Sequence, residues 1–173
     1  MAEDAPTEAL MDTSVLLNFL AVDRVDLLAR HPRFRFVVTD HVRSEVADRR
    51  PERLARFETA LEKGLLGQTS VVALEELEVF VKLQRSSQLG EGESAAAAAA
   101  LHRKAPLATD DRRAVKLLYR PFPSLSTMGT ADIVRDLIAA GVLTAPETDA
   151  FKSEWETNHR FKLPFTSFGT AFS

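Results

Sequence analysis

Residues 10–20 read LMDTSVLLNFL, and this stretch indicates the class of fold. An apolar pair leads into Asp12, and an apolar block follows the polar residues Thr13 and Ser14. We interpret the pattern as a short buried strand that ends near Asp12, followed by a helix that begins near Thr13 or Ser14. An acidic side chain is therefore predicted at the carboxyl end of a buried strand.

The alternation of strands and helices continues along the chain. Residues 34–38 are aromatic and β-branched, which is typical of a strand, and residues 106–109 predict another. The alanine run 95–100 predicts a helix, because alanine has the highest helix propensity. Shorter strands are expected at 69–72 and 124–127. This order predicts an α/β fold with three layers, in which helices cover both faces of a short, mostly parallel central sheet.

Composition excludes several classes of protein. The 173 residues suit one domain, and 22 basic against 25 acidic residues give a net charge of −3. That balance argues against a polybasic nucleic-acid coat or membrane binder. The absence of cysteine excludes disulfides, zinc–thiolate sites and a cysteine nucleophile. No apolar run approaches the ~20 residues of a membrane span, and residues 1–6 lack a basic signal region, so we expect a cytoplasmic protein.

Four acidic residues are predicted at one edge of the sheet. They follow the first and third strands or lie at the start of the helices next to that edge: Asp12, Glu45, Glu93 and Asp111. Two carboxylates ~5 Å apart repel by ~3 kcal/mol at an effective dielectric of about 20, so a cluster takes up protons or binds a cation. Oxygen ligands favour Mg²⁺ or Mn²⁺, ions that commonly serve phosphate chemistry.

Each acid taken alone also has a purely structural explanation. Asp12 and the pair 110–111 precede predicted helices and are placed to cap them. Glu93 favours a helix N-terminus through the helix dipole, and Glu45 has the pattern of a solvated helix residue. The order of the four acids, element by element, is what favours a functional site.

Four short motifs resemble those of PIN-domain nucleases and follow in the same order. They are residues 11–16 (MDTSVL), 42–46 (VRSEV), 90–97 (GEGESAAA) and 108–113 (ATDDRR). The resemblance implies a three-layer α/β/α PIN-like domain over residues 10–165. Residues 1–9 then form a flexible N-terminal extension, and residues 166–173 form a C-terminal tail.

The resemblance also implies a function. PIN domains of this kind cleave RNA with Mg²⁺ or Mn²⁺, as in VapC-like toxins of prokaryotic toxin–antitoxin pairs. It implies an antitoxin protein that blocks the site, and a homodimeric toxin. Carried over to this chain, Asp12, Glu45, Glu93 and Asp111 match the catalytic acids, and the first, third and fourth of them match the metal ligands.

Further residues follow from the same resemblance. Ser14, Thr109 and Asp110 are expected to hold the metal ligands in place. The candidates for contact with RNA phosphates are Arg43, Arg112 and Arg113.

Two choices between neighbouring acids stay open. Asp110 competes with Asp111, which we prefer because the family places its acid two residues after a threonine, here Thr109. Glu91 competes with Glu93, which stands closer to the helix. The commoner toxins have aspartate where this chain has Glu93, and the longer side chain changes the metal geometry.

Two other functions are also consistent with the sequence. A PIN-like fold can keep its acids and act as a non-catalytic RNA- or protein-binding module, which metal-dependent turnover would distinguish. A DNA-directed nuclease of related fold would keep the chemistry and change the substrate. The lack of a large insertion between Asp12 and Glu93 speaks against the second alternative.

Overall fold

The computed structural model describes residues 6–86 and 88–172, and its centre is a five-stranded sheet. The strands are β1 (Thr7–Met11), β2 (Phe34–Thr39), β3 (Gly67–Thr69), β4 (Leu107–Ala108) and β5 (Thr127–Met128). Their order across the sheet is β3-β2-β1-β4-β5, and every neighbouring pair is parallel. The predicted α/β architecture with a short parallel sheet is confirmed.

Ten helices connect and cover these strands in the described part of the chain. They are α1 (Thr13–Ala21), α2 (Asp26–Ala29), α3 (Asp40–Arg49), α4 (Leu54–Glu62), α5 (Leu74–Ser86), α6 (Glu91–Arg103), α7 (Arg112–Tyr119), α8 (Thr130–Ala139), α9 (Ala145–Asn158) and α10 (Phe168–Ala171). A single 3-10 turn, Pro51–Arg53, precedes α4. None of the described helices is both long and apolar enough to cross a membrane.

The side chains of β1 divide the core into two halves. Ala9 and Met11 face one side of the sheet and pack with α1, α3, α8 and α9, whereas Leu10 faces the other side. That second side is covered by α6 and α7. Alternate residues of a strand point to opposite faces, so a central strand whose last three residues are all apolar and buried has helices on both sides.

The alanine run lets α6 lie close to the sheet. All six alanines of 95–100 are buried, and α6 lies against β1, β2 and β4. Small side chains at these positions bring the first turn of α6 near the carboxyl ends of the central strands. The position of Glu93 depends on this close approach.

The ends of the domain differ in detail from the sequence prediction. β1 begins at Thr7, inside the predicted extension 1–9, while residues 1–5 lie outside the described residues. β3 covers residues 67–69 where 69–72 were predicted, and β5 covers 127–128 where 124–127 were predicted, so each strand shares only one residue with its prediction. Strands of two or three residues carry too little periodicity for accurate bounds.

The phenylalanine-rich tail packs back on the domain. The N–H of Phe168 donates to Oδ1 of Asp149 in α9 (2.8 Å), and Oγ of Ser167 donates to Oδ2 of the same carboxylate (2.6 Å). The Phe168 side chain is buried in the larger half of the core. The segment around Phe168 is therefore packed on the domain.

Candidate active site

Asp12 lies buried at the end of β1 and caps α1. Its backbone N–H donates to the carbonyl oxygen of Ala108 in β4 (2.9 Å). Its Oδ2 accepts from Oγ of Ser14 (2.7 Å) and from Oγ1 of Thr109 (3.2 Å). The structural and functional explanations of Asp12 therefore coincide, since the residue that caps the helix is also fixed at the carboxyl edge of the sheet.

The hydroxyls of Ser14 and Thr109 connect Asp12 to the next two acids. Oγ of Ser14 accepts the backbone N–H of Asp110 (3.1 Å), and Oγ1 of Thr109 accepts the backbone N–H of Asp111 (3.1 Å). Each hydroxyl thus holds the Asp12 carboxylate and the turn after β4 in a fixed relation. This geometry is expected of groups that orient metal ligands.

Glu93 and Asp111 form a carboxyl–carboxylate pair. Burial, the hydrogen bond with Asp111 and the charges of Asp12 and Asp111 together raise the pKa of Glu93 to about 7, against the lowering effect of a hydrogen bond from the N–H of Gly90. Burial also acts to raise the pKa of Asp111, but hydrogen bonds from Glu93 and from two backbone N–H groups at the start of α7 hold it below its usual value. Glu93 therefore takes up a proton as the pH falls through about 7, and in that form it donates a hydrogen bond to Asp111.

Glu45 reaches the same edge from α3. Its carboxylate accepts a hydrogen bond from Oγ1 of Thr13, the residue after Asp12. On the other side it lies against the backbone of Gly92, where a Cβ atom would overlap the carboxyl group. Only glycine at this position lets Glu45 approach the first turn of α6 next to Glu93.

Asp110 lies at the same turn and is fully used by structural hydrogen bonds. Its Oδ1 accepts the N–H of Thr130 (2.9 Å), and its Oδ2 accepts from Oγ1 of Thr130 (2.5 Å) and Nδ2 of Asn18 (2.9 Å). Burial raises its pKa despite these bonds. Asp110 ties the end of β4 to α1 and α8, whereas Asp111 caps α7 through Oδ1, which accepts the N–H groups of Arg113 (2.8 Å) and Ala114 (3.0 Å).

The structure thus brings most of the predicted acids into one region. Asp12, Glu93 and Asp111 act on one another electrostatically, and Glu45 adjoins them through Thr13 and Gly92. Glu91, the competitor of Glu93, is exposed at the first residue of α6.

A cleft of about 520 Å³ opens beside these acids. Part of its lining comes from residues next to the acids: Ser14, Asn18, Asp110 and Asp111. The rest includes His159, Phe161 and three arginines that were not predicted from the sequence: Arg49, Arg50 and Arg53. The signal that would have found them is the segment 49–53 (RRPER) at the end of the helix that carries Glu45. Arg49 is four residues after Glu45 and so lies on the same face of α3.

The three arginines differ in how they are held. Arg49 and Arg50 are exposed. Arg53 is buried and donates to the carbonyl oxygen of Leu17 (3.1 Å), and its Nη2 lies 2.8 Å from Nδ1 of His159. Burial lowers the pKa of Arg53, and the nearby charge of Arg50 adds to this effect. The cleft therefore carries positive charge close to the acids.

The three predicted RNA contacts lie in different places. Arg43 forms an exposed ion pair with Glu58 on α4. Arg113 donates to the backbone oxygen (3.2 Å) and Oε1 (2.6 Å) of Gln88, which holds the loop before α6. Arg112 lines a second cleft that also includes Asp110. The contact of all three with RNA stays a prediction.

The donor set suits a hard cation, although the side chains are not gathered around one. Within residues 6–86 and 88–172, no three His, Asp or Glu side chains have the spacing of a metal site. The chemistry still fits, because the site is built of carboxylate oxygens and the charges of Asp12 and Asp111 help to raise the pKa of Glu93 to about 7. A bound cation would reduce the repulsion among these carboxylates.

A family model and two solved structures are similar to this chain. A family model described as DUF3368, PIN domain, matches residues 8–153. The fold is similar to that of VapBC2 from Rickettsia felis, solved bound to a DNA fragment from their promoter, with a TM-score of 0.50 and 14% identity over 71% of this chain and 98% of that chain. It is also similar to PAE2754 from Pyrobaculum aerophilum, with a TM-score of 0.50 and 18% identity over 77% of this chain and 90% of that chain. No curated protein matches the sequence.

Proposed function

Because the chain belongs to the PIN-domain family, we propose that it is a metal-dependent endoribonuclease and the toxin of a toxin–antitoxin pair. Membership of this family supports nuclease activity. That the substrate is RNA and that the metal is Mg²⁺ or Mn²⁺ are further parts of the proposal. The observation that carries it is the convergence of Asp12, Glu93 and Asp111 at the carboxyl edge of the sheet. Such an edge is where ligands bind in parallel α/β folds.

Asp12, Glu93 and Asp111 would hold the ion, with Glu45 next to them. A bound Mg²⁺ or Mn²⁺ ion supplies hydroxide near neutral pH and stabilises charge on phosphate oxygens. Glu93 must first lose its proton, since a carboxylate binds a cation in its ionised form. Ser14 and Thr109 keep Asp12 oriented while this exchange takes place.

The arginines of the cleft would position the RNA. Arg49 and Arg50 are exposed, and a guanidinium group suits bidentate contact with a phosphate. Arg53 holds its place through Leu17 and His159, so it contributes charge to the cleft from a fixed position. A strand whose phosphates lie on these arginines would present a neighbouring phosphodiester to the acids.

The remaining parts of the proposal concern partners and location. The VapC-like motifs and the fold shared with VapBC2 support an antitoxin protein as a partner. A homodimer is also part of the proposal, on the resemblance of the motifs to those of VapC-like toxins. The proposed location is the cytoplasm, which agrees with RNA as the substrate.

The test is cleavage of a pool of labelled RNAs with Mn²⁺, Mg²⁺ or EDTA. We expect product only with metal, and none from Asp12→Asn. Asp26→Asn is the control, because Asp26 is an aspartate at the start of α2 that pairs with Arg24 and does not line the acid cleft. Metal-independent RNA binding without product would instead support a binding module, and cleavage of DNA alone would support the DNA-directed alternative.

A further inference from the structure

The outer face of α5 is an exposed apolar stripe. Leu74, Leu77 and Val81 are 68%, 40% and 42% exposed, and Val72 in the preceding turn is 73% exposed. The spacing of three and then four residues places the three side chains of the helix in one row. Four of the six strongly exposed large apolar side chains in the described chain lie here. A contiguous apolar patch of this kind marks an interaction site.

The charges beside the stripe are separated along the helix. Glu75 and Glu78 lie in the first half of α5, and Lys82 and Arg85 lie in the second half. All four are exposed, and within residues 6–86 and 88–172 none of them forms an ion pair. The groove that Leu74, Leu77 and Val81 line is therefore also lined by charged residues, Glu78 in the first half of the helix and Lys82 and Arg85 in the second half.

We propose that this face, the α5 face, binds the α5 face of a second copy of the chain in an antiparallel arrangement. A two-fold axis across the helix places the acidic half of one copy beside the basic half of the other, whereas a parallel arrangement would oppose like charges. The charge pattern is thus complementary to itself. This specifies the surface of the homodimer that the proposed function includes, and it does not depend on nuclease chemistry.

The same helix supports the turn that carries Glu93. Nε2 of Gln84 donates to the carbonyl oxygen of Gly90 (3.2 Å) and to Oγ of Ser94 (2.7 Å). The N–H of Gly90 in turn donates to Oε2 of Glu93 (2.9 Å). A contact that holds α5 in place therefore also restrains Glu93, which gives the dimer a direct structural connection to the acid site.

The first test is the mass of the full chain in solution by analytical ultracentrifugation. Wild type is expected to be a dimer that dissociates on dilution. Leu77→Arg is expected to raise the dissociation constant by at least about tenfold, because it places a charge in the apolar contact. Tyr119→Arg is the control, since Tyr119 is 70% exposed on α7 and lies outside the α5 face. Circular dichroism confirms that each variant is folded.

The second test is a charge exchange that a folding defect does not mimic. Glu78→Lys and Lys82→Glu should each weaken the dimer, and the double variant should restore it, because the opposite charges meet again across the two-fold axis. A wild-type monomer at all concentrations, or a folded Leu77→Arg dimer as tight as wild type, would overturn the proposal. If the wild type is a monomer that cleaves RNA, only the proposed α5 interface is refuted. If the wild type is a dimer that Leu77→Arg disrupts but does not cleave RNA, only the proposed function is refuted.

Discussion

At the scale of single residues, the proton on Glu93 is the property with the most direct consequences. Burial and two neighbouring acids raise its pKa from 4.5 to about 7. At a pH between these two values, the folded state therefore keeps a proton on Glu93 that the unfolded state has released. Protonation of Glu93 contributes stability that is present below about pH 4.5 and is lost as the pH rises through about 7.

We expect the metal-free protein to lose stability from this group between about pH 4.5 and pH 7. Glu93→Gln should remove this part of the pH dependence, because a neutral amide has no proton to lose. Urea unfolding at several pH values measures the effect. Glu91→Gln is the matched control, since Glu91 is exposed in the same helical turn, and an equal change in both variants would contradict the assignment to Glu93.

Metal affinity should depend on the same proton. We expect Mn²⁺ to bind more tightly as the pH rises through about 7, with release of a proton from Glu93. Calorimetric titration in buffers of different ionisation enthalpy counts the protons released. Affinity that does not change between pH 6 and pH 8 would show that Glu93 is not among the ligands.

The neighbouring acids Asp110 and Asp111 should respond differently to the same substitution. Asp110→Asn is expected to cost about 1–3 kcal/mol in the free energy of unfolding, because an amide nitrogen cannot accept the hydrogen bonds from Thr130 and Asn18. Asp111→Asn should cost less stability and abolish RNA cleavage. Urea unfolding and the cleavage assay on both variants separate the two roles, and the reverse result would make Asp110 the metal ligand.

At the scale of secondary-structure elements, the first turn of α6 depends on one glycine. Gly92→Ala is expected to abolish cleavage with little loss of stability, because the added Cβ overlaps the Glu45 carboxyl group, the flexible end of a side chain that can turn away from the site. Gly90→Ala in the same turn is the control, since its Cβ would be at an ordinary 3.6 Å from Oε2 of Glu93. Thermal unfolding and the cleavage assay are the measurements, and equal effects of the two variants would contradict the proposed contact.

The end of α3 should supply charge to the substrate cleft. We expect Arg49→Ala and Arg50→Ala to weaken RNA binding by the inactive Asp12→Asn protein and to reduce its salt dependence by about 0.7 per lost phosphate contact. Lys63→Ala is the control, because Lys63 is an exposed cation at the end of α4 that does not line the cleft. Fluorescence anisotropy at several salt concentrations gives the slopes, and an equal change for Lys63→Ala would contradict a specific role of the cleft arginines.

At the scale of the whole molecule, the tail is part of the domain. Phe168 is 3% exposed, whereas Phe172, the residue after α10, is 43% exposed. Phe168→Ala should therefore cost about 3–5 kcal/mol in the free energy of unfolding, whereas Phe172→Ala should cost much less. Urea unfolding compares the two, and a small effect of Phe168→Ala would instead support the predicted boundary at residue 165.

Taken by itself, the sequence predicted the alternation of elements and the acids that follow the central strands. This succeeded because β1 and β2 are buried on both faces and the alanine run has high helix propensity, so local preference and tertiary packing agree. Asp12 was identifiable because it directly follows β1 and caps α1, and Asp111 because it comes shortly after β4 and caps α7. The bounds of β3 and β5 were less accurate, since such short strands are defined mainly by their neighbours.

Only the tertiary structure decided which polar atoms meet. The distinction between Asp110 and Asp111 depends on Thr130, twenty residues away, and the approach of Glu45 depends on Gly92 in another helix. The arginines of the cleft acquire their position from the turn between α3 and α4, and the exposure of the α5 face depends on which side of that helix packs on α6. Such contacts join residues that are far apart in the chain, so the local sequence pattern does not predict them. They contribute to stability only after the elements have packed together.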